Sequence, residues 1–147
     1  MCWNKEISAN TFVFSTFVLL MIIYNNTYTQ YKLPGMNPWV YIFFFSVILM
    51  QLIEYFIWLN IHHTYYNYLF SFFARLLLLL QPIASSMLIN NTRIRQITQI
   101  TYLLITVPVF IYIVFTRNIY SSVSPKKHLI WHFWKNKYES MLGSFIW

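Results

Sequence analysis

Residues 37–60 read NPWVYIFFFSVILMQLIEYFIWLN. From Trp39 to Leu59 the single charged side chain is Glu54, and the run is long enough to cross the roughly 30 Å of bilayer hydrocarbon, which takes roughly 20 apolar residues. Asn37-Pro38 is the strongest helix-start signal in the chain, because a proline at the first helical position forfeits only an amide that has no helical partner there. This stretch predicts a transmembrane helix over 39–59.

Working outward, three more apolar runs have comparable length. They cover residues 8–24, 68–89 with its leucine block Leu76 to Leu80, and 97–115. Each can close its own backbone hydrogen bonds, as lipid requires of a spanning segment. The whole composition agrees, with 9% charged and 59% hydrophobic residues and a mean hydropathy of +0.52, where a soluble domain is about a quarter charged. The links are short: 25–37 with the turn Leu33-Pro34-Gly35, 60–67, and 90–96. Short links make neighbouring spans antiparallel. The expected fold is therefore all-α, a polytopic transmembrane helix bundle with four spans in residues 1–117. Residues 118–147 form a polar, aromatic segment with an apolar C-terminal stub, either part of a fifth span or a Lys- and Trp-rich interfacial helix over 128–147.

Aromatic residues make up 22% of the chain. Tyr24, Trp39, Tyr41, Trp58, Tyr65, Tyr66 and Tyr68 fall at span ends, where amphipathic rings anchor at the interface. With only Gly35 and Gly143, no glycine seam is available, so packing falls to Ser, Thr and bulky side chains. The net charge of +7 does not point to nucleic acid, since the basic residues sit singly or in pairs between apolar runs and leave no basic domain face. They read as topology determinants and anionic-lipid contacts. The side holding the N-terminus, the second link and everything after the fourth span carries Lys5, Arg117, Lys126, Lys127, Lys135 and Lys137; the other carries Lys32, Arg93 and Arg95. The positive-inside rule then makes the N-terminus cytoplasmic. The Asn-x-Thr sequons at Asn25 and Asn90 fall on the opposite side. The first span lacks a small-residue cleavage site after Tyr24 and is expected to stay as an anchor. The single Cys2 rules out an internal disulfide.

Ionisable groups inside a span are costly, so Glu54 and Arg75 are the primary candidates for a functional site. Gln51, Glu54 and Trp58 follow at spacings of three and four and so share a helical stripe, at a depth that could meet Arg75 in the third span. Two readings follow: an ion pair that fixes how two spans pack, with Gln51 filling the spare guanidinium donors, or a water-accessible site for a proton, ion or small solute. Gln81-Pro82 and Pro108 interrupt the third and fourth spans and free the carbonyls of Leu78 and Leu104, either as packing kinks or as a pore lining or hinge. His62, His63, His128 and His132 share one side, but no Cys and few acids accompany them, so no metal site or cofactor is expected. No nucleophile motif, phosphate loop or paired carboxylate points to an enzyme.

The opening Met1-Cys2-Trp3-Asn4 with Ser8, the motif Gln51-x-x-Glu54-x-x-x-Trp58, and His128-Leu129-x-Trp131 after the fourth span resemble multi-span membrane proteins encoded by giant DNA viruses. The resemblance implies a place in host or virion membranes and supplies no activity. Should members of that family carry more than four spans, the stop at Trp147 would mark a shortened copy. The expected function is a structural or interaction role in a membrane, in contact with the lipid bilayer and with itself as a homo-oligomer or with another membrane protein. The alternative is a channel or transporter subunit built on Glu54 and Arg75.

Overall fold

The computed structural model describes residues 4–116, 119–124 and 128–132. Four helices follow in chain order: α1 (Lys5–Tyr28), α2 (Pro38–Leu59), α3 (Thr64–Ser86) and α4 (Thr92–Thr116). Each is long and apolar enough to cross a membrane. The all-α spanning architecture read from hydropathy therefore stands, with helix ends displaced by polar residues that cap the helices or extend them.

Three of the starts are fixed by asparagine. The Oδ1 of Asn4 accepts from Ile7 N at 2.8 Å, that of Asn37 from Trp39 N at 3.0 Å and Val40 N at 3.1 Å, and that of Asn91 from Arg93 N at 3.0 Å and Ile94 N at 3.2 Å. Each satisfies amides that the first helical turn leaves without partners. Consequently α1 and α4 begin before their apolar runs do. The link expected over 25–37 is also shorter than its polar composition suggests. Thr29 donates through both N and Oγ1 to the carbonyl of Asn25, at 3.1 and 2.8 Å, so α1 continues to Tyr28. Asn26 then holds the link from inside the helix: its Oδ1 accepts from Leu33 N at 2.8 Å and its Nδ2 donates to the Tyr41 hydroxyl at 2.7 Å. Gly35 supplies the positive φ of 78° that turns the chain into α2.

α1 packs on α2 and α2 on α3 along their lengths, whereas α4 meets α3 more sparsely. Among the described side chains of α4, Ile113 is the one that is buried. Between α2 and α3 one face carries the stacked rings of Phe56 and Phe70, with centroids 5.1 Å apart and planes at 12°. That face opens into a wholly apolar groove of about 280 Å³. Beside it lies the buried core: Met50, Ile57 and Ala74, joined by Leu129 from beyond the fourth helix.

Leu129 marks the main departure from expectation. Residues 128–132 are not helical: Tyr120–Val123 (β1) and Leu129–His132 (β2) form an antiparallel hairpin, pairing Tyr120 with His132 and Val123 with Leu129. Its strands are rich in β-branched and aromatic residues, Tyr120, Val123, Ile130 and Trp131, which suit a pleated surface better than a helix. The expected interfacial helix is thus corrected over 128–132, while residues 133–147, on which the fifth-span alternative depends, lie outside the described residues.

Candidate functional site

α3 brings together two polar clusters, one near each end. At its N-terminal end Asn67 and Ser71, one turn apart, meet Ser121 of β1. The ladder bonds of the hairpin run through the even-numbered residues of β1, since Ser124 N donates to His128 O at 2.7 Å in the same register. The main-chain groups of Ser121 therefore point away from β2, and they point at Asn67. Ser121 N donates to Asn67 Oδ1 at 2.8 Å, and Asn67 Nδ2 donates back to Ser121 O at 2.8 Å. One side-chain amide thus takes the place of a third strand on the edge of β1, a position that otherwise exposes unpaired backbone.

Asn67 is saturated. Its Nδ2 also donates to Ile61 O at 3.1 Å, and its Oδ1 also accepts from Ser71 Oγ at 3.2 Å, which fills both donors and both acceptor sites of a carboxamide. Ser71 Oγ lies 2.8 Å from Ser121 Oγ. Because the Ser71 proton goes to Asn67, the consistent direction is Ser121 hydroxyl to Ser71 to Asn67. All three residues are buried, at 4% exposure for Asn67, 0% for Ser71 and 2% for Ser121. At 1.5 Å per residue, Asn67 and Ser71 lie about 5 and about 10 Å from the start of α3. Backbone that is neither helix nor closed barrel survives at such depth where protein satisfies it; Asn67 does so here.

Glu54 belongs to the neighbouring face. It is 7% exposed and lies between Met50 and Ile57 on the stripe of α2 that faces the core. Gln51 and Trp58, expected on the same stripe, flank it and are partly buried. Arg75 is also partly buried, next to Ala74 of the same core. With α3 starting at Thr64 rather than at 68, Arg75 sits about 16 Å along α3, and Glu54 about 8 Å from the end of α2. The arginine is thus farther from the start of its helix than from the start of the apolar run. Among the described residues the buried indole Nε1 of Trp58 has no hydrogen-bond partner.

The second polar cluster joins α3 to α4. Gln99 Nε2 donates to Ser86 Oγ at 2.9 Å, and the Tyr102 hydroxyl donates to Leu79 O at 3.1 Å. Leu79 adjoins Leu78, whose carbonyl Pro82 leaves without a helical donor, so Tyr102 caps the opened stretch of α3. A cavity of about 230 Å³ lies there, lined by Pro82, Ser85, Ser86, Thr98, Gln99 and Tyr102 among others. Gln81, considered as a pore or hinge residue, donates across to Ser46 O of α2 at 3.2 Å. Pro108 lies exposed within α4. Among the described residues no group of three or more His, Cys, Asp or Glu is placed to hold a metal ion.

Asn67, Ser71, Ser121, Gln99 and Tyr102 were not singled out by sequence reasoning. One signal was present, namely Asn67 and Ser71 at helical spacing of four, on a face that continues through Ala74 and Leu78. Comparison with protein-family models, characterised proteins and solved structures returned no match.

Proposed function

We propose that this multi-pass protein acts by helix association in the membrane, through the outer face of α4 and with a second copy of the same chain. The observation that carries this reading is the sparse packing of α4. Its inner face meets α3 through Gln99, Tyr102 and Phe110, while its outer face presents Ile97, Thr101, Leu104, Pro108, Ile111 and Phe115, all exposed. Lipid satisfies the apolar members of that row but not Thr101, whose hydroxyl gains a partner when two such faces meet. The cytoplasmic N-terminus rests on the charge bias, and a host or virion membrane on the resemblance to giant-virus proteins. Both remain part of the proposal, as does a non-catalytic role.

The test is cysteine cross-linking in bilayers, in a Cys2→Ser background, with single cysteines placed along α4. Disulfides between chains at 97, 101, 104 and 108, with none at 99, 102 and 106, are expected. Uniform silence, or capture of a different membrane protein through the same positions, would overturn self-association.

A second reading, a channel or transporter subunit, is favoured by one observation: Glu54 is a buried carboxylate within a span. Ion flux in proteoliposomes that disappears in a folded Glu54→Gln variant would select it over the first.

A further inference from the structure

The cavity between the ends of α3 and α4 lies at the depth where a phospholipid passes from phosphate to acyl chain. α4 begins at Thr92 and its apolar run at Ile97, so Arg95 stands about 3 Å outside that run and Tyr102 about 8 Å within it. Thr98, Gln99 and Tyr102 form the α4 wall of the cavity, whose volume is about 230 Å³. Arg95 precedes Thr98 and Gln99 by three and four residues, which puts it on the same face of α4, one turn nearer the link. Helical side chains lean towards the N-terminus, so its guanidinium is carried above the cavity to the headgroup level.

No acid occurs in the sequence between Glu54 and Glu139. The two links on this side carry Lys32, Arg93 and Arg95 without a single carboxylate, and among the described residues the Arg95 guanidinium has no hydrogen-bond or ion-pair partner. An anion for it therefore comes from outside the chain. The first amides of α4 do not compete, because Asn91 already accepts from Arg93 N and Ile94 N. A second donor stands below: Thr27 and Thr106 turn their hydroxyls to the carbonyls four residues back, at 2.8 and 2.6 Å, whereas Thr98 is exposed and makes no hydrogen bond among the described residues.

Deeper in, the hydroxyls of Ser85 and Ser86 donate to Pro82 O at 2.9 Å and Ile83 O at 2.6 Å, and that of Tyr102 to Leu79 O. The inner wall thus offers no proton to a second charge and suits an uncharged, mildly polar segment. Its volume lies below the range of about 300–1,000 Å³ typical of pockets for whole small molecules, so it can take the glycerol segment of a lipid whose acyl chains continue outside. We propose that the α3–α4 cavity binds an anionic glycerophospholipid, with the phosphate on Arg95 and Thr98 and the glycerol backbone beside Gln99 and Tyr102. A choline lipid carries the same phosphate, but its cation would stand by Arg93 and Arg95 with no acid to receive it. The site uses the inner face of α4 and does not depend on association through the outer one.

α4 supplies its own control. Arg93 is about 200° around the helix from Arg95, exposed, and at the head of the outer row with Ile97 and Leu104. The full chain in an uncharged detergent is mixed with equal amounts of phosphatidylglycerol and phosphatidylcholine, and native mass spectrometry reads how much of each is bound. Phosphatidylglycerol should be preferred. Arg95→Gln should weaken its binding about tenfold or more, as loss of a hydrogen bond to a charged group does, and Arg93→Gln by less than about threefold, as for an exposed charge without a fixed partner. Ser85→Leu, which fills the cavity and leaves both arginines in place, should also lose the lipid while its thermal melt is unchanged. Inorganic phosphate alone should neither bind nor displace the lipid. Displacement by phosphate would assign Arg95 to a free anion, equal losses in the two arginine variants would reduce the site to diffuse charge attraction, and equal binding of the two lipids would remove the anionic selection; each of these overturns the site.

Discussion

The two ends of α3 solve the same problem in opposite ways. Both must satisfy polar groups inside a helix that is otherwise mostly Leu, Phe and Tyr. At the Asn67 end the partners are a fixed strand, every hydrogen-bonding site is used, and the residues are buried. At the Ser86 end the partners are side chains of a loosely packed helix, Gln99 and Tyr102 are half-buried although Ser86 is buried, and a cavity of about 230 Å³ lies between the elements. A closed, saturated cluster resists change, because each lost partner leaves another buried group unpaired. An open one tolerates change, because its groups have other partners within reach.

Removing the amide at the closed end is expected to have the largest effect. Asn67→Ala strands the main-chain N–H and C=O of Ser121 and the carbonyl of Ile61, at about 1–3 kcal/mol for a buried unpaired group. The expected loss is about 2–4 kcal/mol in denaturant titration of the detergent-solubilised protein, with faster proteolysis of the hairpin. A loss below about 1 kcal/mol would erase the contrast between the ends. Ser121→Ala keeps the backbone pair and removes only the hydroxyl, so about 1 kcal/mol is expected in the same titration. Coupling between Ser71→Ala and Ser121→Ala in a double-mutant cycle would sharpen the comparison; additivity would show that the two hydroxyls do not act together.

At the open end Tyr102→Phe removes the donor to Leu79 O. About 0.6 kcal/mol is expected, the mean for a side-chain hydrogen bond between membrane helices, and hydrogen exchange near Pro82 should rise while the Asn67 end is unaffected. Gln81→Leu deletes a longer bond, at 3.2 Å to Ser46 O, and should cost less still, within about 0.5 kcal/mol of zero. If Gln81→Leu instead proved as costly as Ser121→Ala, the α2–α3 seam would have to be counted with the closed cluster.

Legibility divides along the same line. Hydropathy found all four helices, since a run of 20 apolar residues has no other economical fate in a bilayer, and Asn37-Pro38 located the start of α2. Ends were less legible where polar residues continue a helix or cap it, as Asn25 and Thr29 do for α1. The candidate acid was legible because a lone Glu54 in an apolar run is conspicuous. Its burial was not, because the hairpin that contributes Leu129 to the core beside it lies more than sixty residues away in the chain.

Composition, period and charge therefore determined by themselves that the described part of this chain contains four membrane-spanning helices with an acid inside the second. Those properties are set by the local exchange of side chains between water and lipid, which each segment undergoes largely alone. The tertiary structure decided that residues after α4 return as a hairpin to α3, that Asn67 stands in for a strand, and that α4 is left sparsely packed. Those depend on which backbone groups remain unpaired after every helix has formed, a property of the assembled chain.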